Sequence, residues 1–174
     1  GQNAIYQSIG LLNRLATRSP TPRSVDGLEW ITSMSATMAR GGRAPNVIPD
    51  QFIVNVNARF APDQTPAQVQ AEILELVAGE AKVEIVDCSP PAMPYRNHPF
   101  IALLEQAAGK SVVPKFGWTD VARFAQLGVP AANFGPGTLS QAHQRNEWTS
   151  LAELHRTNTI LRNWLVSLPT STAV

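Results

Sequence analysis

Apolar and polar positions along this chain recur in two rhythms, one at helical spacing and one at the period of two that marks a strand. Between Asn3 and Arg18, Ile5, Ile9, Leu12 and Ala16 recur at helical spacing until Pro20 and Pro22 stop the pattern. From Leu28 to Ala39, Trp30, Thr32, Met34, Ala36 and Met38 alternate with Ile31, Ser33, Ser35 and Thr37, which predicts a strand ended by Gly41-Gly42. Gln51 to Phe60 alternates more clearly. Phe52, Val54, Val56, Ala58 and Phe60 share one face, and Asn55, Asn57 and Arg59 share the other. Pro62, Asp63 and Thr65-Pro66 then lead into a helix through Val69, Ile73, Leu76 and Val77, and Lys82 to Asp87 reads as a short strand after Gly79. The order α, β, β, α, β becomes a ferredoxin-like split βαβ sandwich if one leading strand is added.

Ser89-Pro90-Pro91-Ala92-Met93-Pro94 interrupts all periodicity and marks the expected boundary between a first domain, residues 1–89, and a second, residues 90–174. Beyond it the pattern predicts a helix from His98 to Ala108, a strand from Val112 to Phe116 and a short helix from Asp120 to Leu127. A strand from Ala131 to Phe134, a loop to Glu147 and a last helix follow. Leu151, Leu154, Leu161, Leu165 and Leu168 fall on one stripe of that helix, which predicts a core role. The expected class is α/β in the second domain and α+β in the first.

Composition narrows the function. The chain has 174 residues, 44% hydrophobic and 16% charged, enough to bury a core. Its 14 Lys plus Arg against 13 Asp plus Glu leave a formal charge of +1, too little to draw in nucleic acid or an anionic membrane, so neither is expected as a partner. Cys88 stands alone and cannot form an internal disulfide, and no apolar run approaches a membrane span, so a cytoplasmic protein is expected. Gly1 to Asn3 runs straight into a helical pattern with neither an initiator Met nor a signal, so the chain reads as a piece of something longer.

Three clusters mix glycine or loop residues with ionisable side chains: Gly117 to Arg123 (GWTDVAR), Asn133 to Gly137 (NFGPG) and Ala142 to Glu147 (AHQRNE). Two of them directly follow predicted strands, where α/β folds bind ligands. Thr119 and Asp120 read equally well as a helix start. His143 alone among the histidines sits in a polar loop, where a neutral imidazole suits a metal. His98 precedes Pro99 at a helix start, and His155 lies inside the last helix. No His-x-Asp, Cys-x-x-Cys or His-Glu-x-x-His spacing occurs, so any metal needs ligands from elsewhere. Nucleophile-elbow, Walker and dinucleotide motifs are absent. Pro136 denies Gly135-Pro136-Gly137 the N–H groups of a phosphate cradle.

Asn46-Val47-Ile48-Pro49, Asn57-Ala58-Arg59-Phe60 and the three clusters, in this order, resemble the lid and closing catalytic segment of the aminoacylase/carboxypeptidase superfamily of co-catalytic zinc hydrolases. Within it they look most like the actinobacterial branch that releases succinate from N-succinyl-L,L-diaminopimelate in lysine and diaminopimelate biosynthesis. The resemblance implies a ferredoxin-like lid that pairs two subunits, followed by the C-terminal part of an α/β catalytic domain. It implies two zinc ions, with cobalt possible at one site, and a substrate that is an N-acylated amino acid bearing carboxylates. By the same resemblance His143 corresponds to a zinc ligand, Arg59 to the arginine that grips a substrate carboxylate, and Asn46 to a side chain that reaches the other subunit's substrate. Gly117 and Thr119 correspond to a substrate-contacting loop, from whose better-known form Trp118 and Val121-Ala122 depart. The general-base glutamate and the other ligands belong to a segment upstream of Gly1, so this piece alone is expected to be inactive and to hold little or no zinc. Two alternatives stand beside this reading: a related N-acyl-amino-acid or dipeptide hydrolase, and a non-catalytic dimerisation module.

Overall fold

The computed structural model describes residues 1–168 as two compact units. The first comprises Gly1–Met93 with Lys115–Trp118, and the second comprises Pro94–Pro114 and the chain from Thr119 onward.

The first unit opens with two short helices, α1 (Ala4–Gln7) and α2 (Ile9–Thr17), where the spacing predicts one. The break falls at Ser8, whose hydroxyl donates to the Ile5 carbonyl and competes with the helical ladder. A strand the periodicity does not predict comes next. β1 (Thr21–Val25) pairs antiparallel with β2 (Leu28–Gly41) through a two-residue turn at Asp26-Gly27, both in the left-handed region, with φ of 54° and 72°. Asp-Gly is the dipeptide that such a tight hairpin favours. Pro22 ends the helical pattern as expected, and it is tolerated in β1 because this is an edge strand.

β2 also pairs antiparallel with β3 (Phe52–Arg59), giving a three-stranded sheet in the order β1-β2-β3. In β3, residues alternate between half-buried and exposed along its whole length, as its sequence predicts. In β2 the alternation holds only as far as Met34. A bulge between Ala36 and Met38 inserts Thr37, and from Ser35 onward every residue is exposed, Met38 included. A bulge adds a residue and flips the faces, which pure alternation cannot foresee.

The helix α3 (Pro66–Val77) starts from a capping box in which Thr65 and Gln68 satisfy each other's backbone N–H, and it stops at Ala78, in the left-handed region. Leu11 and Leu15 of α2, Met34 of β2, and Val69 and Val77 of α3 form the core of this unit. Val56, Ala58, Phe60, Ile73, Leu76 and Val83 pack around it. Beneath them runs a polar chain: the Ala61 N–H donates to the Thr32 hydroxyl (3.1 Å), Thr32 donates to the Gln64 carbonyl, and the Gln64 amide donates to Glu72 (3.0 Å). Arg18 closes it on Glu72 at 2.7 Å. Strand β2, the turn after β3 and both helices are thereby tied together by paired groups, the condition under which buried polarity is tolerated.

In the second unit, α4 (Pro99–Ala108) packs against α6 (Leu151–Ser167), and the Trp164 indole donates to the Phe100 carbonyl at 2.9 Å. Between them lie α5 (Val121–Gln126) and a 3-10 turn at Leu139–Gln141. His98 sits at the start of α4, and its ring accepts from the Phe100 N–H, a capping role.

Five expectations are not met among the described residues. The predicted strands Lys82 to Asp87, Val112 to Phe116 and Ala131 to Phe134 are irregular, because a strand exists only by pairing and the described residues place no neighbouring strand beside them. The leucine stripe of α6 is mostly solvent-facing, with Leu151, Leu154 and Leu165 exposed and Thr157 the one buried residue of the helix. Its last member, Leu168, is the C-cap residue of α6 and half-buried. Periodicity reports that a face is apolar and is silent on whether a covering element is present. The second unit therefore has no sheet among the described residues, so the α/β layering expected for it is not seen there.

Candidate active site

Arg59 is the last residue of β3, on the face that also carries Ile53, Asn55 and Asn57. Its side chain is exposed and makes no hydrogen bond or ion pair among the described residues. Arg40 of β2 is likewise exposed and without a partner among the described residues, whereas two other arginines of this unit are occupied. Arg23 holds Asp63 with a fork (2.6 Å at the shorter contact), and Arg14 holds Glu80 (2.8 Å) while also donating to the Leu76 carbonyl. Those pairs push Asp63 and Glu80 below their ordinary carboxylate values, chiefly through the arginine hydrogen bond. Arg59 is thus a guanidinium on a rigid strand with its donors free for a ligand.

Asn46 lies in an exposed turn, closed by the Val47 N–H donating to Ala44, in the loop that joins β2 to β3. That loop enters β3 at Phe52, and Arg59 stands at the opposite end. At ~3.4 Å per residue, about 24 Å of strand separates the two ends. Gly117 also belongs to the first unit, with open space where a Cβ would sit. Next to it Phe116 meets Trp30 edge-on, the ring centroids 5.8 Å apart.

In the second unit Thr119 accepts a hydrogen bond from the Asn133 amide at 3.1 Å, joining the first two sequence clusters. Asp120 occupies the N-cap position of α5, yet its carboxylate makes no cap bond and pairs with Arg123 instead. His143 stands in a tight loop in the left-handed region, φ 63°. Its backbone N–H donates to the Glu147 carboxylate at 3.1 Å, and its ring makes no contact to a polar group among the described residues. Glu147 also lines a shallow depression of about 310 Å³ together with Gly137, Thr138, Gln141, Trp148 and Thr149. At Gly137 (φ 90°) an added Cβ would meet the Thr149 hydroxyl at 3.2 Å, so glycine is required.

The sequence reading named Asn133 and Glu147 only as members of clusters. An amide 14 residues from a threonine, and a carboxylate four residues after a histidine, carry no spacing signal of their own. Among the described residues no three His, Cys, Asp or Glu side chains gather as a metal site. The donors present fit one ligand position, the free imidazole of His143, and not a whole site.

Residues 1–84 match the peptidase dimerisation domain. The similarity extends past the module. A Mycobacterium tuberculosis protein with the provisional name succinyl-diaminopimelate desuccinylase DapE is 38% identical over 166 residues, covering 95% of this chain and 47% of that protein. The succinyl-diaminopimelate desuccinylase of Corynebacterium glutamicum is 31% identical over 170 residues, covering 95% of this chain and 46% of its own length. An acetylornithine deacetylase of Myxococcus xanthus is 27% identical over 174 residues. The chain spans about half the length of the curated relatives it matches.

Proposed function

We propose that this chain is the dimerisation lid and the closing catalytic segment of a metal-dependent amide hydrolase that releases succinate from N-succinyl-L,L-diaminopimelate. Arg59 and Asn46 support the reading: two exposed polar side chains, one in the loop that leads into β3 and the other at the far end of that strand. The strand between the loop and Arg59 spans ~24 Å, far more than a small acylated amino acid, which favours residues drawn from two copies. Two copies paired through the lid can apply both residues to one substrate. Arg59 grips a carboxylate of the substrate held by its own subunit, its planar fork matching both oxygens. Asn46 reaches the substrate of the partner copy and donates to the scissile carbonyl as negative charge develops there.

His143 contributes one imidazole to a zinc site whose other ligands lie outside this chain, and Gly117 and Thr119 border the acyl group. When bound there, zinc, or cobalt at one position, would lower the pKa of a water so that a base could deprotonate it near neutral pH for amide hydrolysis. The lid occupies residues 1–89 and the catalytic segment residues 90–174. Strands from the remainder of the longer protein would pair with Lys82 to Asp87, Val112 to Phe116 and Ala131 to Phe134 and cover the exposed leucines of α6. The work of such a biosynthetic enzyme is cytoplasmic, in keeping with the absence of a membrane-crossing helix among the described residues.

Mixed dimers test this directly. Asn46→Ala and Arg59→Ala proteins, each at the full length of the relatives, are each expected to be nearly inactive. Mixed subunits should recover up to half of the wild-type rate per mixed dimer, because one of the two sites then holds an intact Arg59 and an intact Asn46. No recovery on mixing would remove Asn46 from the partner's site.

A further inference from the structure

We propose that Glu147 is a positioning residue for His143: its carboxylate holds the histidine backbone in the left-handed conformation that sets the direction of the imidazole. This rests on the reading of His143 as a metal ligand. An exposed ring without side-chain partners takes its direction from its own backbone, and here that backbone has a φ of 63°, a region that only a few per cent of non-glycine residues occupy, histidine among the more frequent. Something must hold it. The neighbouring turns are closed by backbone bonds, Gln144 N–H to Gln141 and Glu147 N–H to Gln144, both 3.2 Å, which bring Glu147 back over the start of the loop. Its carboxylate then accepts the His143 N–H at 3.1 Å, the one side-chain bond made to that residue among the described residues. A charged acceptor makes a stronger bond to an amide than a neutral one does. The bond lies on the main chain of His143 and leaves both ring nitrogens open. Groups that orient a metal ligand from behind commonly matter ten- to a hundredfold in metal affinity.

The test pairs Glu147→Ala with Glu147→Gln, which keeps an acceptor oxygen, in the full-length protein. The first readout is the intraresidue amide-to-Hα Overhauser effect of His143, strong only when φ is positive. The second is zinc affinity by competition with a chelator. Wild type and Glu147→Gln should give the strong signal, and Glu147→Ala should lose it together with about ten- to a hundredfold in zinc affinity. A Glu147→Ala protein that keeps both the signal and the affinity overturns the proposal. His143→Ala is measured alongside. If it leaves zinc affinity unchanged, the ligand assignment fails, and the Overhauser signal still decides whether Glu147 sets the loop.

Discussion

Thr32→Val is the sharpest probe of how the lid is held together. The substitution keeps volume and removes one oxygen from the middle of the buried polar chain. Two groups lose their partner: the N–H of Ala61, a residue with 0% of its surface exposed, and the carbonyl oxygen of Gln64, 7% exposed. Gln64 keeps its bond to Glu72, so its loss is partial. A buried donor left unsatisfied costs ~1 to 3 kcal/mol, which puts the whole effect near about 2 to 3 kcal/mol. That is a large share of a domain stability of ~5 to 15 kcal/mol. In urea, with a slope of ~1 to 3 kcal/mol per molar, the unfolding midpoint should fall by about 1 M or more. Thr37→Val serves as the control. Its hydroxyl accepts from Asn55 on the exposed end of β2, and its removal should cost under ~0.5 kcal/mol. Equal losses from the two variants, or a Thr32→Val protein within about 0.5 kcal/mol of wild type, would refute the idea that this chain of bonds organises the end of β3 and so Arg59.

The remaining predictions concern acid and the second unit. Asp63, Glu80 and Glu105 are all held below their ordinary values of 3.8 and 4.5, so their stabilising contributions are complete above those values and fade as pH falls through the lower folded ones. Thermal stability should stay flat from neutrality to about pH 5 and decline below about 4.5, and Glu80→Gln should shrink that decline. Glu105 is lowered first by the Val112 N–H and then by Arg96, so Glu105→Gln should leave α4 intact and speed amide exchange at Val112 in particular.

What the sequence disclosed follows from which interactions are local. The helix α3 is legible because Thr65, Pro66 and Gln68 write its start and Gly79 its end, and β3 is legible because one face is half-buried and the other exposed along its whole length. The β1–β2 hairpin hides behind Pro20 and Pro22, whose helix-breaking signal masks the Asp26-Gly27 turn just beyond them. The strands at Lys82, Val112 and Ala131 have strand-like composition and lack partners, and composition cannot report pairing. At the site, residue type and loop context single out His143 and the family resemblance singles out Arg59, and neither side chain has a partner among the described residues. Glu147 escapes notice because its significance lies in one bond to a backbone group. The match on residues 1–84 and the similarity along 95% of the chain supply what periodicity cannot, the proteins that this chain resembles.

The most direct measurement is succinate release by the protein at the full length of its relatives, loaded with zinc and offered N-succinyl-L,L-diaminopimelate and N-acetylornithine in parallel. The account predicts turnover of the succinylated substrate at a kcat/KM at least tenfold above that for the acetylated one. Hydrolysis of N-acetylornithine without succinate release would place the protein with the deacetylases and contradict the substrate assigned to it.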